Sequence, residues 1–272
     1  VNNLPNTRSE VHEDAWLWPQ WLDGSSLARV GSVMSCRTGG VSALPFDSLN
    51  MGAAVGDDPA HVAANRERLR QVAAARPVFL RQVHGSAVVR LTAAHAQADA
   101  PVLEADASVT TEVGLACTIQ VADCLPVLFA APGGLAVGAA HAGWRGLASG
   151  VLEATAHAVS ELAGCAPAAL FTWLGPCIGP RRFEVGADVL EGFGVAAVAG
   201  ASTARFVAQA DTTVGAPKWL ADLPGLASDR LHAMGLSRIS GGCWCTVEEA
   251  SRFFSFRRDR VTGRMAAAIW IR

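Results

Sequence analysis

Apolar and polar positions along this chain fall into two rhythms. Asp57-Asp58-Pro59 supplies an Asp cap and a first-turn proline, and Val62, Leu69 and Val72 then recur on one helical face. Leu147, Val151, Ala154, Ala158 and Leu162 repeat that spacing, which predicts a helix entered through Ala142-Gly143-Trp144-Arg145-Gly146 and ended by Gly164. A further helix is expected within Trp219–Met234, stopped by Gly235. Between these lie apolar runs of strand length: Val78–Leu80, Leu115–Val121, Leu125–Ala130, Leu135–His141 and Phe171–Leu174. The last segments, Phe253–Arg257 and Met265–Ile271 about Thr262-Gly263, read as a closing hairpin. Helices alternating with strands predict an α/β (α+β) single-domain layered sandwich with a mixed β-sheet. No linker or repeat divides the chain, so residues 30–272 are expected to form one domain. Residues 1–29 are expected to form an arm packed on it through Trp16, Trp18 and Trp21.

Composition narrows the function classes. Of 272 residues, 51% are apolar and 17% charged, which is the balance of a globular protein with a real core. The 22 basic and 24 acidic side chains nearly cancel and no basic run appears, so nucleic acid is not an expected partner. A small phosphorylated ligand remains compatible. The polar opening of the chain lacks a secretory apolar region, and no apolar run approaches a membrane span. Seven scattered cysteines, an odd number, do not make a disulfide framework. The expectation is a cytoplasmic protein, and size alone suggests a monomer.

Three segments carry candidate chemistry: Arg81-Gln82-Val83-His84-Gly85, Ala122-Asp123-Cys124-Leu125-Pro126, and His141-Ala142-Gly143-Trp144-Arg145-Gly146. Each places a soft or borderline metal ligand at a strand end, beside Gly or Pro. Two imidazoles and a thiolate suit zinc, and three protein ligands leave a fourth position for water or substrate. No local zinc motif is present, because the spacings are long-range. The same residues are compatible with a metal-free Cys124–His141 nucleophile–base pair, as in a hydrolase or deamidase. Cys243-Trp244-Cys245 leaves room for a metal-binding or redox partner protein without turnover.

These segments belong to a longer series of motifs. It begins at Cys36-Arg37-Thr38-Gly39-Gly40-Val41-Ser42 and runs through Ser48-Leu49-Asn50-Met51-Gly52, Val55-Gly56-Asp57 and Asn65-Arg66. It continues with Gly175-Pro176-Cys177-Ile178-Gly179-Pro180 and Phe183-Glu184-Val185-Gly186, and ends with Phe253–Asp259 and Thr262-Gly263-Arg264. In this order the motifs closely resemble the bacterial family once called multicopper polyphenol oxidase or "laccase-domain" proteins. That family was later assigned as purine nucleoside phosphorylases with adenosine deaminase activity. The resemblance implies that His84, Cys124 and His141 are metal ligands. It further implies one zinc per chain, with copper able to replace it, and purine nucleosides and phosphate as substrates (adenosine, inosine, guanosine, with methylthioadenosine a further candidate). Three departures stand out: Cys36 where Ser is usual, Phe256 where Tyr is usual, and Arg260 where Gly is usual.

The older family name conflicts with composition. A multicopper oxidase needs on the order of ten histidines with His-x-His pairs, whereas this chain has seven histidines and no such pair. Copper on the same triad would leave only a weak polyphenol oxidase activity. Phosphorolysis needs an anion site, for which Arg37, Arg145, Arg257 and Arg258 are candidates, with Gln82 as a substrate-binding residue beside His84. Arg145 also sits at a predicted helix start. Deamination needs a carboxylate to carry protons, for which Asp123 and Glu184 are candidates. Asp123 is alternatively a residue that orients a ligand histidine.

Overall fold

The computed structural model describes residues 15–22, 24–209 and 216–272. Two sheets lie face to face. Numbered in chain order, the first runs β1 (Trp16–Leu17), β2 (Val30–Ser35), β14 (Met265–Ile271), β6 (Leu115–Val121), β3 (Arg76–Phe79) from edge to edge. The second runs β13 (Arg238–Gly241), β9 (Phe171–Leu174), β7 (Leu125–Ala130), β8 (Val137–Ala142), β5 (Ala107–Thr110), β4 (Val88–Arg90). A small third sheet is formed by β10 (Glu184–Val185), β12 (Trp219–Ala221) and β11 (Phe206–Ala208). The two large sheets are mixed: β3 runs parallel to β6, while β14 is antiparallel to both its neighbours.

Side-chain alternation explains the layers. Along β14, Met265, Ala267, Ile269 and Ile271 enter the core between the sheets, with Leu115, Cys117, Ile119 and Val121 of β6 and Leu128 and Ala130 of β7. Ala266, Ala268 and Trp270 face the other way, against Leu69 and Ala73 of helix α1 (Pro59–Ala73). Leu125, Val127 and Phe129 of β7 likewise turn outward, toward Val151, Leu152, Ala156 and Val159 of α3 (Val151–Ala163). Each sheet is therefore covered on both faces, giving helix, sheet, sheet, helix. That is why the strands read as unbroken apolar runs rather than alternating ones. Slipping β14 by one residue would drive Met265 and Ile269 into α1, an overpacking worth about 1–3 kcal/mol per site.

Several boundaries differ from expectation, each for a local reason. The long helix after Gly143 is two, α2 (Trp144–Ala148) and α3, because Gly150 adopts φ 90° between them. The strand expected from Leu135 begins at Val137, after a turn in which Gly133 and Gly134 both have positive φ. Within Trp219–Met234, the first three residues form β12, and the helix α5 (Leu223–Ala233) starts only where Asp222 caps the Gly225 N–H at 3.0 Å. The closing hairpin is absent. β14 pairs with β2 and β6, and Ser255 instead caps a short helix α6 (Phe256–Asp259) by accepting from the Arg258 N–H.

The arm's residues 1–14 lie outside the described residues. Trp16 is buried in β1, which adds a strand to the first sheet, and the half-buried Trp21 donates its indole N–H to Ser32 Oγ at 3.2 Å. Trp18 does not dock and is 46% exposed. Among the described residues no helix is long and apolar enough to cross a membrane.

Candidate metal centre

The strand connections bring the three expected ligands together. β3 and β6 run parallel and so end at the same end of the sandwich, His84 lying shortly beyond β3. From β6 the chain crosses through Ala122-Asp123-Cys124 into β7 of the other sheet. The β7–β8 register sets Pro126 opposite His141, which carries the imidazole to the same crossing. One ligand atom from each of His84, Cys124 and His141 lies within 4.8 Å of the others. Cys124 Sγ is 3.8 Å from His84 Nε2, and the two imidazoles meet edge to face with centroids 4.8 Å apart. His141 is 3% exposed, Cys124 half-buried and His84 exposed, so the cluster is walled on one side and accessible on the other.

Asp106, not anticipated from the sequence, organises the cluster. It is fully buried at the head of β5, and its Oδ1 accepts from His141 Nδ1–H at 2.7 Å. The backbone N–H groups of Val83, His84 and Gly85 converge on the same carboxylate at 3.1, 2.9 and 2.7 Å. Those three amides point inward because His84 takes φ 62°. One carboxylate thus fixes the ring of His141 and the backbone of His84, with the His141 Nδ1 proton held so that Nε2 faces the cluster. Burial pushes the Asp106 pKa up, but the His141 ring and the amides outweigh it and hold it below the usual range. The sequence offered only an acidic residue before a strand of small side chains, which carries no such signal. The sequence offers Asp123 for orienting a histidine, but the carboxylate that contacts His141 is that of Asp106.

Cys124 and His141 stabilise each other's charge. Burial opposes ionisation of Cys124, yet the neighbouring His141 and His84 imidazoles bring its thiol down to about 6. Burial likewise opposes protonation of His141, while the Cys124 thiolate and Asp106 lift it to about 9. The thiolate is the form a metal needs. Backbone space is equally specific. A Cβ on Gly143 would lie 2.8 Å from His84 Cδ2 and 3.0 Å from Cys124 Sγ, so only glycine lets α2 begin against the ligands. Two nitrogens and one thiolate sulfur, with a carboxylate behind one histidine, fit zinc or copper rather than a hard cation.

The other expected residues are distributed around this centre. Asp123 adjoins Cys124 at φ 102°, its Oδ1 accepting from Thr246 Oγ1–H and its Oδ2 from the Arg257 N–H, both at 2.6 Å. Gln82 is engaged at both ends by the Gln120 backbone. Arg37 holds the Asp47 carboxylate and the carbonyls of Asp47 and Ala250. Arg258 holds Asp259 and the carbonyls of Thr246, Val247 and Phe253. The donors of both arginines are taken up by the fold itself. Arg145 is exposed and stacked 4.3 Å over Trp144, and its guanidinium makes no hydrogen bond to the described residues. Arg257 gives Nη1 to the Glu184 carbonyl at 3.0 Å and lies over Phe183. The Glu184 side chain is exposed on β10.

Known proteins share this chain's sequence and shape almost end to end. A purine nucleoside phosphorylase of Pseudomonas aeruginosa is 47% identical over 258 residues, covering 95% of this chain and 99% of that protein. The Escherichia coli purine nucleoside phosphorylase YfiH is 45% identical over 255 residues, covering 93% and 97%. Among solved structures, a Neisseria meningitidis protein matches with TM-score 0.81 at 39% identity, covering 94% of this chain and 99% of that one. YlmD from Geobacillus stearothermophilus matches with TM-score 0.80 at 32% identity, covering 94% and 97%. The family model described as multi-copper polyphenol oxidoreductase laccase matches residues 31–272, the stretch that contains both sheets' central strands and all three residues of the cluster. The chain belongs to that family.

Proposed function

We propose that this protein is a zinc-dependent purine nucleoside phosphorylase that also deaminates adenosine. The observation that carries the reading is the near full-length likeness, at 47% identity, to a protein named purine nucleoside phosphorylase. The cluster geometry supports it. His84, Cys124 and His141 would hold the metal, which when bound supplies Lewis acidity at the accessible side of the cluster. Asp106 holds the His141 Nδ1 proton, and His141 lies buried on the closed side of the cluster. Arg145 and Arg257 retain donors for an anion, and Glu184 has a carboxylate that no described residue engages. These serve phosphate binding and proton transfer respectively. The described residues hold one group able to take a metal, whereas multicopper oxidation needs several. Copper in the zinc position would leave a side reaction on phenols.

The test combines metal analysis with chromatography. Purified protein is incubated with adenosine, inosine or guanosine, with and without phosphate. About one zinc per chain and phosphate-dependent release of free base support the proposal, and inosine formed from adenosine without phosphate supports deamination. His84→Ala and His141→Ala variants that fold but keep metal and full activity would overturn the ligand assignment. A second reading, a thiol hydrolase with Cys124 as nucleophile, draws on the Cys124–His141–Asp106 order and on the lowered thiol. Inactivation by a thiol reagent in a protein indifferent to chelators would favour it.

A further inference from the structure

Arg264 immediately precedes β14, and the fold holds it with unusual care. Its N–H donates to Asn50 Oδ1 at 2.8 Å and its carbonyl accepts from the Met51 N–H at 2.9 Å. Gly52 clears space for its stem, since a Cβ there would lie 2.8 Å from Arg264 Cγ. Nη1 donates to the carbonyls of Thr262 and Gly263 at 2.9 and 3.0 Å. Backbone, stem and one nitrogen are thereby fixed. Nε and Nη2 have no hydrogen-bond partner among the described residues, and no described carboxylate pairs with the guanidinium. These two nitrogens form the edge that grips an oxyanion with two parallel bonds.

Its surroundings place the guanidinium beside residues that adjoin the His84–Cys124–His141 cluster. The guanidinium is 5.9 Å from the ring of Phe256, which is 47% exposed and precedes Arg257, the residue whose N–H binds Asp123 beside Cys124. Burial lowers the Arg264 pKa while Cys124 and Asp123 raise it, so its charge is felt at the cluster. A half-buried guanidinium without a carboxylate is costly to keep unless something from outside completes it. Arg37 and Arg258 differ from it in having their guanidinium groups already joined to carboxylates.

We propose that the Nε/Nη2 edge of Arg264 is a phosphate-binding fork of this site, acting with the free donors of Arg145 and Arg257, with Phe256 as the apolar wall beside it. The proposal rests on the phosphorylase reading and names a further residue that receives its second substrate. Gly52 and Asn50 are positioning residues that aim the fork.

Calorimetric titration of inorganic phosphate into the zinc-loaded protein, without nucleoside, tests binding directly. It is paired with the KM for phosphate in the inosine reaction. Arg264→Gln should weaken phosphate binding about 10- to 100-fold, the usual worth of a charge-assisted hydrogen bond. The KM for phosphate should rise in step, with zinc content and the KM for inosine little changed. Arg264→Lys, which keeps the charge but not the fork, should fall between, and Gly52→Ala should also weaken binding by displacing the stem. Should Arg264→Gln fail to fold, the lysine and Gly52→Ala variants carry the test. Wild-type phosphate affinity in all the folded variants, or no phosphate binding by the wild type, overturns the assignment. Phosphate binding that depends on Arg264 without any release of base would instead sink the phosphorylase reading and leave the anion site standing. Phosphorolysis with an unchanged phosphate KM in Arg264→Gln would do the reverse.

Discussion

Replacing Asp106 by asparagine keeps the side chain's shape and removes its charge. The carboxylate accepts from His84 N–H and His141 Nδ1–H at Oδ1 and from Val83 and Gly85 N–H at Oδ2. An amide offers one oxygen and one NH2. Whichever way it turns, two buried donors lose their acceptor and face another donor. Each such loss costs about 1–3 kcal/mol, and breaking a buried charged pair by removing one partner costs about 3–5 kcal/mol. The two routes overlap, giving an expected destabilisation of about 3–5 kcal/mol. Domains of this kind are stable by about 5–15 kcal/mol, so the variant folds with a thinner margin. At about 2–4 °C per kcal/mol for this size, Tm should fall by roughly 6–20 °C. The site should suffer separately. His141 loses the partner that fixes its tautomer, and loss of such a partner weakens metal binding about 10- to 100-fold. Thermal unfolding of the metal-free protein measures the first effect, and competition with a chelator of known affinity measures the second. An Asp106→Asn protein with wild-type Tm and wild-type metal affinity would refute the argument that this carboxylate organises the centre.

Other outcomes follow from the same geometry. Gly143→Ala puts a methyl group 2.8 Å from His84 Cδ2, so metal affinity should drop by about tenfold or more with a smaller loss of stability; an unchanged metal titration would contradict this. In metal-stripped protein, alkylation of Cys124 should accelerate as pH rises through about 6 and level off above it, because the depressed pKa makes thiolate the neutral-pH form. Following the Cys124 peptide by mass spectrometry checks this, and a midpoint near the ordinary cysteine value of about 8.5 would contradict it. Arg258→Ala removes donors from the Thr246, Val247 and Phe253 carbonyls and should cost about 2–4 kcal/mol of stability, leaving the phosphate KM of the folded enzyme unchanged. A raised phosphate KM would make Arg258 a ligand residue after all.

Much of the local structure was legible along the chain. Asp58-Pro59 starts α1 where its cap chemistry requires, the Asp58 side chain accepting from the Ala60 N–H, and the apolar runs at 115–121, 125–130 and 171–174 are strands. The misread places were those where a short polar residue or a glycine overrode apolar spacing. Gly150 splits one helix, Asp222 delays another, and Ser255 converts an expected strand into a turn of helix. The hydrogen bonds that Arg37, Gln82 and Arg258 make within the fold were not legible, because residue type says nothing about which donors are engaged.

The sequence by itself determined the kinds of chemistry available: two imidazoles and a thiol at strand ends, no array of histidines for several coppers, and the order of motifs that marks the family. Only the tertiary structure decided which groups act together. His84, Cys124 and His141 converge because parallel β3 and β6 end together and because the β7–β8 register places His141 at the same crossing. Asp106 reaches His141 through the register of β5 with β8, and Arg264 stands at the head of β14, which lies beside β6. Strand register is set by packing between residues far apart in the chain, each pair contributing little until the sheets close. A local pattern can name a ligand, therefore, but the partner that orients it and the charge that faces it exist only once the two sheets have met.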